Sequence, residues 1–289
     1  MQSSTPFLLS EQETQQFLNL LQLEKLKEGE CKLKYLEALV QKTQEVIPFQ
    51  NLFLLQHKFE QRNQLSFQEI KKLVLTGTGG YCLVISPVFC GLLQSLGYQA
   101  SLICGSCRGI PKNHAAILVN NLLENEDKYL VEVSIGFKNK PLKIDFDKKS
   151  ELYNYSFGQF YFEWQNDQKQ ILNRIDEKNQ FFCQYSLNIT FKDYEDLLFN
   201  EGNVYTDVNK SPFHKFLRII RFPSSGAVCI RDNQLLIENL STNKLEIKDT
   251  INSIDQFNRH IQELFPQIDK QMSTLAYKNF QLSQNLVQN

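Results

Sequence analysis

The chain of 289 residues lacks the charge imbalance and the long apolar runs that mark several protein classes. It has 31 basic and 32 acidic residues, a formal net charge of -1, and neither a basic stripe nor an acidic tail. Nucleic acids and membrane surfaces are therefore not expected as its main partners. No apolar run approaches the ~20 residues that a membrane-spanning helix needs.

A secretion signal and a regular cysteine framework are missing as well. The N-terminal residues have neither the basic start nor the apolar core of a signal peptide. The chain has seven cysteines, an odd number without regular spacing. In a chain without a secretion signal such cysteines are expected to be reduced thiols, so we predict a cytoplasmic protein.

The chain does contain enough apolar side chain for a large packed core. Hydrophobic residues make up 42% of it and aromatic residues 12%, which excludes a disordered chain. Helix signals dominate residues 1–97, which we predict to form a helical domain. Capping boxes occur there at Ser10 with Glu13 and at Ser66 with Glu69, each before an apolar stripe of helical period.

Period-two alternation dominates residues 98–200, which we predict to form a β domain. The clearest strand alternates over residues 181–191. Residues 201–289 combine short strands with a helix that follows a capping box at Ser253 and Gln256. Helices followed by strands, without strict alternation, predict an α+β fold.

The densest functional signal is the segment Thr76-Gly-Thr-Gly-Gly-Tyr-Cys82, in which paired glycines precede a cysteine. Glycines allow a sharp turn or a close approach to a ligand. A cysteine ahead of an apolar run is, however, more often a buried small residue than a nucleophile. A phosphate-binding loop is not predicted, because no Lys-Ser/Thr follows the last glycine.

A histidine and a carboxylate fall on neighbouring predicted strands. Residues 114–119 and 128–133 flank a short polar connection and predict an antiparallel hairpin in which His114 pairs with Glu132. A carboxylate beside an imidazole fixes its tautomer and stabilises its protonated form. Such a pair alone is more often structural, but with Cys82 it forms a set of nucleophile, base and orienting group.

Several blocks along the chain are similar to arylamine N-acetyltransferases. The blocks are Ile47-Pro-Phe-Gln-Asn-Leu52, Gly79-Gly-Tyr-Cys82 with residues 92–97, residues 114–119, Tyr129-Leu-Val-Glu-Val133 with Gly136, and residues 203–216 with Ser211-Pro212. In this order they resemble the family's IPFEN segment, RGGxC motif with its helix, histidine strand, YLVDVGFG strand and coenzyme A stretch. Because the similarity keeps its order over almost the whole chain, it predicts the family's fold.

The resemblance implies a papain-like cysteine core with an N-terminal helical bundle, a central β-barrel and a C-terminal α/β lid. It also implies ping-pong transfer of an acetyl group from acetyl-coenzyme A to an arylamine or hydrazine, without a metal. Carried over by position, Cys82 is the nucleophile, His114 is the base, and Glu132 takes the place of an Asp. Backbone amides near Cys82 would stabilise the oxyanion.

The resemblance also implies that Ser211, Pro212 and His214 contact coenzyme A. From its sequence context alone, however, His214 is more often a solvated surface residue than a contact to a coenzyme phosphate. Cys104 and Cys107 have the spacing of a redox motif, but one such pair without a second predicts neither a zinc site nor disulfide exchange.

Some residues around Cys82 depart from the family pattern. Thr78 and Val84 stand where the family has an Arg and a Glu, and losing both leaves no unpaired charge. Ser86-Pro87 is typical of a helix start, which would place the helix terminus beyond Cys82. Alternatively the helix begins near residue 83, and Pro87 removes only a first-turn hydrogen bond.

These departures leave two further hypotheses open. The first is a catalytically impaired paralogue that keeps the fold as a binding or assembly subunit with protein partners. The second is a hydrolase or transamidase that uses the same Cys-His-Glu set.

Overall fold

The computed structural model of the chain describes residues 7–166, 169–175, 181–189 and 204–287. The described helices are α1 (Glu11–Leu21), α2 (Lys32–Val46), α3 (Leu52–Leu55), α4 (Phe67–Leu75), α5 (Cys82–Ser95), α6 (Ile254–Leu264) and α7 (Lys270–Val287), with 3-10 turns at Phe59–Gln61 and Pro212–His214. The described strands are β1 (Phe49–Gln50), β2 (Gln99–Cys107), β3 (Ile110–Asn120), β4 (Lys128–Val131), β5 (Leu142–Lys143), β6 (Tyr153–Tyr155), β7 (Gly158–Asn166), β8 (Lys169–Ile175), β9 (Phe181–Asn188), β10 (Arg218–Arg221), β11 (Val228–Arg231), β12 (Gln234–Asn239) and β13 (Lys244–Thr250).

The N-terminal helices begin where the sequence predicts. Ser10 and Glu13 form a capping box at the start of α1, and Ser66 and Glu69 form another at the start of α4. Each box satisfies two backbone N–H groups that have no partner inside the helix. Both predicted capping boxes are confirmed.

Helix α5 lies at the centre of this part of the molecule. Every residue of it from Cys82 to Leu93 is buried, as expected for a helix that is apolar on all sides. It packs against α1 and α4 on one side and against β2 and β3 on the other.

The start of α5 decides between the two interpretations of Pro87. The helix begins at Cys82 and Pro87 lies inside it, so Ser86 is not its N-cap. The Ser86 hydroxyl instead donates to the Ala115 carbonyl at 3.0 Å and shares a hydrogen bond of 2.8 Å with the Ser134 hydroxyl. The predicted helix start at Pro87 is wrong, and the proline interrupts the second turn rather than the first.

The larger sheet is antiparallel and has the strand order β5-β4-β3-β2-β9-β8-β7-β6. Its longest pairing joins β2 and β3, from Gln99 opposite Asn120 to Cys107 opposite Ile110. Within the described residues no ladder joins the edge strands β5 and β6, so the predicted closed barrel is not confirmed. Residue 191, the end of the predicted strand 181–191, lies outside the described residues.

The smaller sheet has the order β1-β10-β11-β12-β13 and is covered by α6 and α7. Its edge strand β1 comes from the predicted helical domain, with Phe49 opposite Ile220. The mixed α+β architecture is therefore confirmed. The boundary predicted between residues 200 and 201 lies outside the described residues, and the three-domain division and the lid stay predictions.

Apolar contacts are continuous across these layers. One cluster of buried side chains runs from Leu9 in front of α1 to Leu236 on β12. A second cluster lies between the smaller sheet and its two helices. In the portion of the chain that is described, no helix is both long and apolar enough to span a bilayer.

Gly79 should be among the least replaceable positions of the fold. It has φ 78°, and an added Cβ would lie 2.1 Å from the Pro48 carbonyl oxygen. Gly97 has a similar φ of 82° with nothing within 4 Å of the added atom. We expect Gly97→Ala to lower the free energy of unfolding by about 1–2 kcal/mol through its left-handed backbone alone.

Gly79→Ala should lower the free energy of unfolding by about 1–3 kcal/mol more than Gly97→Ala, because the clash adds to the backbone cost. Urea unfolding of both variants and the parent chain measures this difference. Equal losses would show that the loop before Cys82 is not tightly packed.

Candidate active site

The loop before α5 fixes the position of Cys82. The Gly80 N–H donates to the Pro48 carbonyl at 3.3 Å, and the Gly80 carbonyl accepts from the Gln50 N–H at 3.0 Å. Tyr81 is the N-cap of α5 but offers no side-chain cap. The positive end of the helix therefore faces the Cys82 side chain without a capping group in between.

Cys82 lines a cavity and is only 4% exposed. Its sulfur is 3.8 Å from the Asn113 carbonyl oxygen, and it also forms a side-chain interaction with His114. Of the three sequence-predicted groups, the nucleophile and the base are thus brought together by α5 and β3.

His114 and Glu132 are in direct contact. The His114 Nε2 and the Glu132 Oε1 are 2.9 Å apart, and each residue is 1% exposed. Because Nε2 is used by the carboxylate, Nδ1 is the imidazole nitrogen left for the thiol. The Tyr185 ring packs on the imidazole, with ring centroids 4.7 Å apart.

The contact between His114 and Glu132 does not arise from the predicted pairing, in which the two residues lie directly opposite each other. Ile117 pairs with Val131, two residues away from the register that would place His114 opposite Glu132. Strand β4 ends at Val131, and the predicted direct pairing is wrong. An even shift keeps both side chains on one face of the sheet.

Glu132 is held just beyond the end of β4 by a contact from the helical part. The Gln44 side chain on α2 donates to the Glu132 carbonyl oxygen at 3.1 Å. The same amide also donates to the Asn139 carbonyl at 3.1 Å. A buried side chain thus replaces the missing ladder partner, as buried backbone groups require.

Charge favours a protonated imidazole at this site. Burial opposes protonation of His114, but the Glu132 carboxylate and the Cys82 side chain outweigh it and hold the pKa of His114 well above its ordinary value. Burial, together with the charge and hydrogen bond of Glu132, raises the pKa of Tyr185 well above its ordinary value. Sequence reasoning missed Tyr185, because nothing local to β9 shows which side chain it faces.

The three predicted coenzyme residues have different surroundings. Ser211 is buried, and its hydroxyl accepts from the Phe213 N–H at 3.3 Å, which caps a 3-10 turn. Pro212 borders the cavity. Residue 203, where the predicted stretch begins, lies outside the described residues.

His214 is not the solvated surface residue that its sequence context predicts. It is 5% exposed, its Nδ1 lies 2.7 Å from Nη1 of the buried Arg62, and its Nε2 lies 2.9 Å from the Val204 carbonyl oxygen. Burial lowers the pKa of His214, and the Arg62 charge acts in the same direction. A neutral ring that donates from Nε2 and accepts at Nδ1 satisfies both contacts, and no ring nitrogen is left for a phosphate.

The positions that differ from the expected motif have local partners. The Thr78 hydroxyl lies 3.0 Å from that of Thr76 and 3.4 Å from the Gln267 carbonyl. Val84 packs on Gly80, where an added Cβ would lie 2.5 Å from the valine side chain. Neutral contacts of Thr78 and Val84 therefore stand where the expected motif has an Arg and a Glu, and neither position holds a charge that would need a partner.

The cavity has a volume of about 230 Å³ and is partly open. Its described lining combines the reacting groups, aromatic rings and cations: Phe49, Cys82, Cys107, Arg108, Ile110, Asn113, His114, Ser134, Ile135, Val208, Asn209, Pro212, Phe213, Lys215, Phe216 and Arg218. No group of three or more His, Cys, Asp or Glu side chains among the described residues could hold a metal ion.

Asn51, in the Ile-Pro-Phe-Gln-Asn block, joins the cavity wall to the smaller sheet. Its side-chain amide donates to the Phe213 and Phe216 carbonyls at 2.9 and 2.6 Å. Its side-chain oxygen accepts from the Arg218 N–H at 2.9 Å. The aromatic part of the wall is therefore fixed to strand β10.

A family model for N-acetyltransferases matches residues 32–270. No curated protein sequence matches the chain.

Solved structures with the same fold include arylamine N-acetyltransferases from several bacteria. The one from Nocardia farcinica has a TM-score of 0.76 at 18% identity, with 96% of this chain and 99% of that chain covered. The one from Salmonella typhimurium has a TM-score of 0.72 at 17% identity, with 89% and 91% covered. The one from Bacillus cereus, reported to have a unique Cys-His-Glu catalytic triad, has a TM-score of 0.70 at 18% identity, with 88% and 98% covered.

Replacing Glu132 should change the protonation of His114. Glu132→Gln removes the charge that favours the imidazolium, so we expect the pKa of His114 to fall. The ring nitrogen shifts in a ¹⁵N NMR titration measure it, and the pKa of His214 should not change. An unaltered His114 titration would contradict the assigned role of Glu132.

The same change should alter the pH dependence of stability. Since the folded pKa of His114 is raised, its contribution to stability is complete below the unfolded value of about 6.5 and is lost as the pH rises through the folded value. In Glu132→Gln this pH-dependent contribution should shrink, which unfolding curves at several pH values will show.

Proposed function

The chain belongs to the arylamine N-acetyltransferase family, and we propose that it transfers an acetyl group from acetyl-coenzyme A to an arylamine or hydrazine nitrogen through an acetyl-Cys82 intermediate. The observation that carries the proposal is the buried contact between His114 and Glu132 next to Cys82 at the start of α5. Nucleophile, base and orienting group are thus within reach of one another.

In the first half-reaction the Cys82 sulfur attacks the thioester carbonyl carbon of acetyl-coenzyme A. An imidazolium beside the sulfur stabilises the thiolate that attacks. The bond between the carbonyl carbon and the coenzyme sulfur then breaks, and the coenzyme thiolate leaves with the proton from His114. Acetyl-Cys82 and free coenzyme A are the products.

In the second half-reaction the acceptor nitrogen attacks the acetyl-Cys82 carbonyl carbon. His114, now neutral, takes the proton from the nitrogen as a general base. The bond to the Cys82 sulfur breaks, which releases the N-acetylated product and restores the thiolate and imidazolium. Glu132 keeps the imidazole oriented and stabilises its positive form in both halves.

Backbone N–H groups supply the proposed oxyanion donors. The Cys82 N–H is at the first position of α5, where it has no partner inside the helix. It sits at the positive end of the helix, where developing negative charge is stabilised.

The coenzyme is proposed to enter past the turn at residues 211–214. Pro212 borders the cavity and can contact the coenzyme directly. Ser211 caps the turn and His214 anchors it to Arg62, so we propose that these two act by positioning the turn. A lid function of the C-terminal unit would place this turn over the bound coenzyme.

The Glu in place of the family's Asp is compatible with catalysis in this proposal. The additional methylene lets the carboxylate of Glu132 reach His114 from beyond the end of β4, where the ladder has already stopped. The Bacillus cereus relative is likewise reported to have a Cys-His-Glu triad.

The impaired-paralogue hypothesis loses one of its main supports. The hypothesis rests on Thr78, Val84 and Pro87, and Pro87 supports it only by displacing the helix terminus from Cys82, whereas α5 begins at Cys82. Acetyl transfer is therefore the function that the site supports best, and the two alternatives become outcomes of its test.

Incubation with acetyl-coenzyme A followed by intact-mass measurement tests the proposal. We expect a mass increase of one acetyl group, which an arylamine then removes. Cys82→Ala should abolish the increase, and Cys31→Ala, which removes an exposed cysteine, should leave it unchanged.

Three other outcomes would contradict acetyl transfer through Cys82. No adduct and no coenzyme release with any arylamine or hydrazine would favour a binding or assembly subunit. An adduct that water removes as fast as any amine would favour a hydrolase. An adduct that persists in Cys82→Ala would place the nucleophile elsewhere.

A further inference from the structure

The turn at residues 211–214 forms one wall of the cavity and is joined to the start of α5 by stacked rings. Pro212 and Phe213 both line the cavity. The Phe213 ring stacks on the Tyr81 ring, with centroids 4.8 Å apart and an interplanar angle of 5°. Because Tyr81 is the N-cap of α5, a displacement of the turn changes the packing directly beside Cys82.

The end of this turn is held by a contact between two basic side chains. Nδ1 of His214 lies 2.7 Å from Nη1 of Arg62, and the two residues are 5% and 7% exposed. Arg62 is itself held by a hydrogen bond of 3.2 Å from its Nε to the His57 carbonyl oxygen, and it lies over the Phe59 ring. The guanidinium therefore cannot move away from His214 without losing these contacts.

The contact requires a neutral His214 ring. A guanidinium has no lone pair and stays charged, so Arg62 can only donate. His214 must then accept at Nδ1 and keep its one proton on Nε2, which donates to the Val204 carbonyl oxygen at 2.9 Å. A second proton on the ring would place an N–H at Nδ1 against the N–H of Arg62, with two like charges instead of a hydrogen bond.

The surroundings of His214 oppose that second proton. The charged groups that act on the contact are Arg62, Glu60, Asp207 and Lys215. Burial lowers the pKa of His214, against the hydrogen bond to the Val204 carbonyl. The charge of Arg62 lowers this pKa as well, and its effect exceeds the opposing effect of Asp207. The ring is therefore neutral and the contact is intact at neutral pH.

We propose that the contact between His214 and Arg62 is an acid-sensitive latch for the cavity wall formed by Pro212 and Phe213. When His214 takes up a proton from solvent at Nδ1, the turn is released from Arg62. The Phe213 ring then loses its stacking on Tyr81, and acetyl-coenzyme A reacts more slowly. This inference rests on the proposed acetyl transfer and adds a control by pH to its donor step. Both residues of the latch are positioning residues.

Release of the latch loosens the turn and does not unfold it. The Asn51 side chain still donates to the Phe213 carbonyl oxygen, and the Ser211 hydroxyl still accepts from the Phe213 N–H. Neither of these contacts involves a group that titrates near neutral pH. Among the contacts that hold the turn, the one made by His214 therefore carries the pH dependence.

Proton linkage sets the direction and the size of the effect. The pKa of His214 is lowered in the held turn and returns to an ordinary value of about 6.5 once water reaches the ring. The released form therefore gains by up to about 10-fold for each pH unit below that value, until the pKa of the held form is reached. His114 has the opposite sign, because in spite of its burial Glu132 raises its pKa.

The donor test compares acetyl-coenzyme A with 4-nitrophenyl acetate, at about pH 7.5 and about pH 5. Both donors acetylate the same thiol, so the ratio of their kcat/KM values cancels the ionisation of Cys82 and His114. We expect the ratio of coenzyme to ester to fall by about 3- to 30-fold at the lower pH. His214→Asn should show little of this decrease, because the Asn oxygen accepts from Arg62 but takes up no proton.

His260→Asn is the matched control for the donor test. His260 is also a partly buried histidine, with Nε2 at 2.9 Å from an oxygen of Asp249, but it does not line the cavity. This variant should show the full decrease of the parent chain. A decrease that comes from the coenzyme phosphates themselves would be the same in all three proteins.

A structural measurement tests the latch without any acetyl transfer. NMR follows the ring-to-ring contacts of Tyr81 and Phe213, together with the ring nitrogen shifts of His214, as the pH is lowered. We expect the ring contacts to weaken with the same midpoint as the His214 titration. Arg62→Met should raise that midpoint, since it removes the like charge next to the ring.

The two measurements separate this inference from the proposed function. If the ring contacts follow the His214 titration in a chain that transfers no acetyl group, the latch stands and the proposed function fails. Ring contacts that persist after His214 is protonated, or a ring that stays neutral down to about pH 5, would refute the latch even if acetyl transfer occurs. Equal decreases of the donor ratio in the parent chain and His214→Asn would refute it as well. The NMR measurement needs only the parent chain, so it decides the matter if that variant is unstable.

Discussion

The hydrogen bond between His114 and Glu132 is the interaction on which the rest of the site depends. Both side chains are almost fully buried, so neither water nor salt can replace the partner if one is lost. Strand β3, the end of β4 and the Gln44 contact from α2 must therefore keep their relative positions. The same bond leaves one imidazole nitrogen for Cys82, and in this way links the larger sheet to the central helix.

Helix α5 meets this constraint by beginning at Cys82 in spite of Pro87. The tight Gly79-Gly80 loop holds the N-terminus of the helix against the backbone at Pro48. The helix is largely apolar and is buried on all sides. The free energy gained by this burial outweighs the loss of the one backbone hydrogen bond that Pro87 cannot donate. Tertiary packing thus decides where the helix starts, and the local capping preference of Ser86 does not.

Local signals predicted local features well, and failed where a distant contact decides the outcome. The capping boxes at Ser10 and Ser66 and the α+β order follow from short-range patterns. Alternation placed His114 and Glu132 on one face but not in the correct register, because the ladder from Ile117–Val131 to Asn120–Lys128 and the turn that closes it set a pairing two residues away. The burial of His214 depends on Arg62, 152 positions away in the chain, and no local pattern reports such a contact.

The central claim is that His114 and Glu132 act as one unit in acetyl transfer, and a double-mutant cycle tests it most directly. The value of kcat/KM is measured for the parent chain, His114→Asn, Glu132→Gln and the double variant. We predict that the double variant loses little more than His114→Asn alone, since a carboxylate without its imidazole has nothing to orient. Losses that simply multiply, or a parent chain without acetyl transfer, would contradict the claim.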